Sequence, residues 1–182
     1  MKIIFFIYNI FGFKVCWWAC VLGAVSGQEY LGPILVSLYL LIHVYFISSE
    51  LRKPEIYLLL FAGLFGTFTD SLLLNFGLLS YAGSYNNINF IAPLWITAMW
   101  VGFTATLNHA FQKIMKKYLI QILLGIIFGP LAYITGDGLD AIHFNPTYNY
   151  NLILLMIAIV WGISFPLLCY FSNQIRGINN QS

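Results

Sequence analysis

Long apolar runs separated by short polar stretches set the pattern of this chain. The runs cover residues 3–25, 30–48, 55–81, 90–111, 118–135 and 150–171. About 20 residues of helix cross a hydrocarbon core roughly 30 Å thick, so each run is long enough for one transmembrane helix. The stretches between them read as connections: Ser26 to Glu29, Ser49 to Pro54, Gly83 to Asn89, Gln112 to Lys117 and Gly136 to Asn149. The pattern predicts an all-α, polytopic transmembrane bundle of six helices forming a single integral membrane domain.

Proline and charge refine that picture. Pro33, Pro54, Pro93 and Pro146 fall at or near the starts of the second, third, fourth and sixth runs, where a missing N–H costs a helix nothing. Asn145, just ahead of Pro146, is placed to serve as an N-cap. Pro130 and Pro166 lie inside their runs and predict kinks. When the connections are numbered alternately, Lys2, Arg52, Lys53, Lys113, Lys116, Lys117 and Arg176 all fall on one side. The other side receives only Glu29, Asp137 and Asp140. Lysine and arginine mark the cytoplasmic side, so both termini are expected inside. Tyr30, Tyr81, Tyr85, Tyr133, Tyr148 and Tyr150 would form the outer aromatic belt, and Tyr45, Tyr57, Tyr118 and Tyr170 the inner one.

Composition excludes a water-soluble alternative. Of the residues, 60% are hydrophobic and 8% charged, and the mean hydropathy is +0.84. Soluble domains carry roughly 25% charged residues. A net charge of +2 gives no reason to expect a nucleic-acid partner. The first run superficially resembles a signal peptide ending at Ala24-Val25-Ser26. Lys14 interrupts its apolar core and Trp17-Trp18 are bulky ahead of the small residues, so it reads as an uncleaved first helix.

Small residues show which faces meet protein. Gly12, Cys16, Ala19 and Gly23 share a stripe, as do Gly63, Gly66, Asp70 and Gly77, and Ala98, Gly102, Ala105 and His109; the fifth run carries Gly125-x-x-x-Gly129. Asp70 and His109 are thus expected inside the bundle. Ionisable groups at membrane depth are costly and are candidates for function by default. Lys14 and Asp70 are the deep ones, roughly 16 and 21 Å from the inner face, close enough in depth to pair. A structural ion pair, a proton or substrate relay, and neutralised or snorkelling groups are the three roles open to them. Asn108 and His109 lie near the inner end of the fourth run, with His43 in the inner half of the second. A histidine there can shuttle protons or bind a headgroup, and the plainer reading is a hydrogen bond to a neighbouring helix. Cys16, Cys20 and Cys169 read as small packing residues. Asp137, Asp140 and His143 recur every three residues, and a solvated loop is favoured there over a cation site. The chain has no Gly-x-Ser-x-Gly, no His-Glu-x-x-His and no phosphate-binding loop. Its three histidines exclude the histidine-rich desaturase class.

Several of these motifs together resemble one family: Trp17-x-x-Cys20-x-x-Gly23-Ala24, Gly66-x-x-x-Asp70 with Gly77 and Tyr81, Pro93-Leu94-Trp95 with Trp100 and Phe103, Leu107-Asn108-His109, and Gly129-Pro130-Leu131-Ala132-Tyr133 with Gly136. It is the group of small bacterial inner-membrane proteins known as domain of unknown function 2878. The resemblance implies a multi-pass protein of the bacterial inner membrane and implies no activity. From the residues, the first expectation is binding or translocation of a small molecule, proton or lipid through a polar bundle interior, with Lys14, Asp70, Asn108 and His109 as the candidate intramembrane polar site. The alternatives are a membrane-embedded enzyme, or enzyme partner, acting on a lipid, and a scaffold without a ligand. Expected partners are membrane lipids and a small-molecule or lipid ligand. No cofactor and no metal is expected.

Overall fold

The computed structural model of the chain describes residues 2–178. Helices dominate: α1 (Lys2–Val25), α2 (Leu31–Phe46), α3 (Ser49–Asn75), α4 (Leu94–Leu107), α5 (Tyr118–Asp137) and α6 (Tyr150–Ile178). One helix occupies each of the six apolar runs, so the protein is all-helical as the pattern predicts. Four of them, α1, α3, α5 and α6, are long and apolar enough to cross a membrane. α2 and α4 have 16 and 14 residues, about 24 and 21 Å at the α-helical rise.

Side-chain contacts fix how the helices run. Arg176 near the end of α6 reaches Glu55 near the start of α3, and Asn108 just past α4 meets both Glu55 and Ser172. At the opposite end, Asn145 ahead of α6 donates to the carbonyl of Gly77 just past α3. Successive helices therefore alternate in direction. α5 packs on α6, α3 on α4 and α6, and α1 on α2 and α4. The outward faces are apolar: Leu64 and Leu119 are 77% and 70% exposed, with Ile34, Leu41, Ile127 and Ile163 also open. Apolar surface on this scale suits lipid rather than water.

Close helix approach depends on the small residues. A Cβ on Gly125 or Gly129 would collide with Trp161 of α6, and one on Gly66 with the ring of Trp100. The stripes at Gly12, Cys16 and Gly23 and at Ala98, Gly102 and Ala105 face α2 or the interior.

Several helix limits differ from the apolar runs. The polar stretch 49–54 is not a turn but the start of α3, with Pro54 inside the helix. α3 stops at Asn75, six residues short of the run, because Gly77 takes a left-handed φ of +68°. The amides of Gly77 and Leu78 then bond back to the carbonyls of Leu74 and Leu73, the Schellman ending that glycine favours. Gly77 thus closes the helix rather than extending its small-residue stripe. Freed from the helix, Leu79–Tyr81 forms a strand, β1, paired antiparallel with β2 (Ile142–Phe144), with Tyr81 opposite Ile142. α4 ends four residues early in a turn at Asn108 and His109, where the His109 and Ala110 amides both donate to Thr106. Asn145 does not cap α6: its side chain accepts from Thr147, and Asn149 caps the helix by accepting from the Asn151 amide at 2.9 Å. α5 and α6 continue as α-helix through Pro130 and Pro166.

Candidate functional site

Two buried polar centres lie at opposite ends of α3. They are 15 residues apart in sequence, which is roughly 22 Å along the helix axis.

The first is built on Asp70, which has no exposed surface. Its Oδ1 accepts from the hydroxyls of Tyr81 at 2.7 Å and Tyr133 at 2.6 Å, and its Oδ2 from the indole N–H of Trp100 at 2.5 Å. Each donor comes from a different element: β1, α5 and α4. The short β1–β2 pairing carries Tyr81 in over the carboxylate, and the indole of Trp95 donates to the Ala82 carbonyl beside it. Tyr81 and Tyr133 are therefore not belt residues, as their positions in the sequence suggest, but partners of the buried acid. Beside Asp70 lies a cavity of about 320 Å³. Its walls are almost wholly apolar, with Trp17, Trp95, Trp100, Phe103, Trp161 and Phe165 prominent. Trp100 and Trp161 stack with centroids 4.5 Å apart, which orients the indole that holds Asp70. Phe128 also lines the cavity and is 61% exposed, so the space reaches the apolar outer surface of α5. Motifs that carry the family resemblance, around Trp17, Asp70, Trp95, Trp100 and Gly129 to Tyr133, meet at this cavity, and Tyr81 joins them through Asp70.

The second centre gathers where α2, α3, α4 and α6 end at the basic side. Glu55 is fully buried. Its Oε2 accepts from Arg176 at 2.7 Å and from the amide of Asn108 at 3.2 Å, while Oε1 lies 3.1 Å from Nε2 of His43. Ser172 donates to Asn108 at 3.0 Å and fixes its amide. His109 stands with its ring centroid 5.0 Å from that of His43, and Phe5 packs on both rings. One donor atom from each of His43, Glu55 and His109 lies within 4.8 Å of the others. Behind them, Tyr39 donates to the buried Asn9. The arrangement can hold an ion or move a proton.

The candidate residues thus separate. Asn108 and His109 belong to the Glu55 centre and Asp70 to the other. Lys14 joins neither, because it is exposed on the outer face of α1. Among the described residues the ion pairs are Glu55 with Arg176 and with His43, so Lys14 does not pair with Asp70. Lys14 lies opposite the Gly12–Gly23 stripe, and that stripe faces protein. Asp137, the last residue of α5, accepts from the Phe144 amide at 3.2 Å, and Asp140 sits in the turn that follows at φ +61°. The three cysteines are free and buried.

Sequence reasoning missed Glu55 and Arg176. Glu55 hides next to a proline at the edge of an apolar run, but it continues the stripe of Leu59, Ala62, Gly66 and Asp70. Extending that stripe one turn towards the N-terminus finds it.

An all-helical bundle with membrane-length apolar helices and ionisable groups buried between them is the class defined by this geometry. Residues 6–167 match the family described as protein of unknown function (DUF2878). The chain belongs to that family. No curated protein matches it, and no solved structure does.

Proposed function

We propose that this protein binds an apolar small molecule or a segment of lipid chain in the aromatic cavity, with Asp70 marking its polar end. The cavity itself carries this reading: about 320 Å³, walled by aromatic rings, with one fully buried carboxylate held in place from three directions. Ligand sites typically enclose about 300–1,000 Å³ of mainly apolar space with a few placed polar groups. The volume admits one ring system or part of an acyl chain, and excludes a whole phospholipid. Phe128, exposed on the apolar surface, favours access from the bilayer side rather than from water. In this reading the six helices cross the bacterial inner membrane with both termini cytoplasmic. The gathering of Arg52, Lys53, Lys113, Lys116, Lys117 and Arg176 at one end supports that orientation. The short α2 and α4 are compatible with it, since non-helical backbone is tolerated at membrane depth where protein covers it.

The test is to purify the protein in mild detergent, extract it with organic solvent and identify bound species by mass spectrometry. Ala132→Phe, which pushes a ring into the cavity, should melt like the wild type and lose the bound species. Recovery of the same species in the same amount from that variant, or nothing above a detergent blank from the wild type, would overturn the proposal.

A further inference from the structure

We propose that His43, Glu55 and His109 form a binding site for a first-row divalent transition metal ion, zinc being the natural occupant of such a donor set. The site is separate from the Asp70 cavity and does not depend on the reading given to it. Three observations meet here. First, among the described residues these are the three histidine, cysteine or carboxylate ligands whose donor atoms lie within 4.8 Å of one another. They come from the last turn of α2, the start of α3 and the turn after α4, so it is the fold and not local sequence that collects them. Second, the protein leaves nitrogen unused at this point. Nε2 of His109 is buried without a hydrogen-bond partner. Buried imidazole nitrogens normally find a partner. Third, the surroundings resemble those of metal ligands. Arg176 and Asn108 hold Oε2 of Glu55 and leave Oε1 towards His43. Phe5 and Tyr39 pack on the rings. Outer partners that orient a ligating carboxylate are a regular part of metal sites.

The geometry agrees with the chemistry. Zinc–nitrogen and zinc–carboxylate bonds are about 2.0–2.2 Å. Two such bonds spanning the 3.1 Å between His43 Nε2 and Glu55 Oε1 meet at roughly 95°, and a separation wider by about 0.3 Å gives the tetrahedral angle. His109 must swing inwards to complete the set, and its place in a turn rather than a helix permits that. Two imidazoles and one carboxylate select a transition ion over calcium or magnesium, which take oxygen ligands. Three protein ligands leave a coordination position open, as sites that act on a substrate do. The Arg176 guanidinium opposes the cation and weakens the site without occupying it.

Zinc and cobalt(II) are the probes. Full-length protein, with any affinity tag removed and metal stripped by a chelator, is titrated with Co²⁺ while visible absorption is recorded, then with Zn²⁺ in competition. The wild type should take up about one ion per chain with d–d bands of a nitrogen and oxygen site, and Zn²⁺ should raise its melting temperature. His109→Ala should melt like the wild type in chelator, bind Zn²⁺ at least ~10-fold more weakly and lose the zinc-dependent shift. Glu55→Gln should weaken binding similarly and serves if His109→Ala cannot be purified. Wild-type protein that takes up no stoichiometric metal would refute the site. So would a variant that binds as tightly as the wild type, or intense thiolate charge-transfer bands pointing to the cysteines.

Discussion

Asp70 is the residue whose replacement has the most direct readout. Three donors converge on its two oxygens, each buried and each from a different element. Asp70→Leu removes every acceptor and strands two hydroxyls and an indole N–H. A buried donor left unsatisfied costs about 1–3 kcal/mol, so the variant should lose at least ~2 kcal/mol even if one tyrosine finds another partner. Asp70→Asn keeps Oδ1 for the two hydroxyls but turns an amide N–H₂ towards the Trp100 donor. One hydrogen bond is lost and two donors face each other, at a cost of about 1–3 kcal/mol. Tyr133→Phe removes one of two donors on the same oxygen and strands nothing, so it should cost about 1 kcal/mol. For a chain of this size each kcal/mol moves the midpoint by roughly 2–4 °C. The expected order of melting temperatures in detergent, followed by tryptophan fluorescence, is wild type, Tyr133→Phe, Asp70→Asn, Asp70→Leu. Trp100 and Trp161 stack beside the carboxylate, so the emission of the folded state should also shift when Trp100 loses its acceptor. If Asp70→Leu melts with the wild type, or above Tyr133→Phe, the carboxylate does not hold these elements together.

Lys14→Met should stabilise the protein, since it removes a charge from a lipid-facing surface, and its effect should add to that of Asp70→Asn within about 0.5 kcal/mol; a coupling above 1 kcal/mol would mean that the two residues do meet. Gly125→Ala places a methyl group on the Trp161 backbone and should cost about 3 kcal/mol, whereas Gly177→Ala, with nothing within 4 Å, should be neutral or slightly stabilising. Single cysteines at Asn87 and Asn149, in a cysteine-free background, should react with an impermeant thiol reagent on intact spheroplasts and one at Lys116 only after lysis; labelling of Lys116 from outside would refute the proposed orientation. A cysteine at Asn179 should behave like one at Lys116, although that position lies outside the described residues.

The helices are legible in the sequence because an apolar run of bilayer length has few other ways to fold. Their ends are less so. Hydropathy continues through Leu78 and Leu79, and only the left-handed φ of Gly77 decides that α3 stops and β1 begins. The interior placement of Asp70 is legible from its small-residue stripe, but its partners are not, because Tyr81, Trp100 and Tyr133 are brought to it by three separate elements. Tyrosines near the ends of apolar runs look alike whether they anchor at a headgroup or donate to a buried acid. Depth alone suggests a Lys14–Asp70 pair; helical phase argues against it, and phase prevails. Asn108 and His109 stand out in the sequence as polar residues at the end of an apolar run, and the structure places Asn108 buried and His109 half-buried. What the sequence cannot display is their convergence with Glu55 and Arg176, separated from one another by 121 residues.

The two centres solve the problem of a buried carboxylate differently, and that difference bears on what each can do. Asp70 is surrounded by neutral donors, and among the described residues it forms no ion pair. Its partners are aromatic groups packed beside an apolar cavity, and three hydrogen bonds fix the position of the carboxylate. Such a group can fix the orientation of a ligand's polar end. Glu55 is held by a guanidinium that is itself 25% exposed, with two imidazoles alongside. Arg176 therefore links that centre to the basic surface, where ions and charged groups can arrive. α3 carries both acids and α4 contributes to both, through Trp100 at one end and, just past its last turn, Asn108 at the other. A shift of α4 against α3 would disturb both centres at once. If ligand in the cavity alters metal affinity at Glu55, or metal alters ligand retention, the effect must be equal in both directions, and α3 and α4 are the elements through which the physical contacts run.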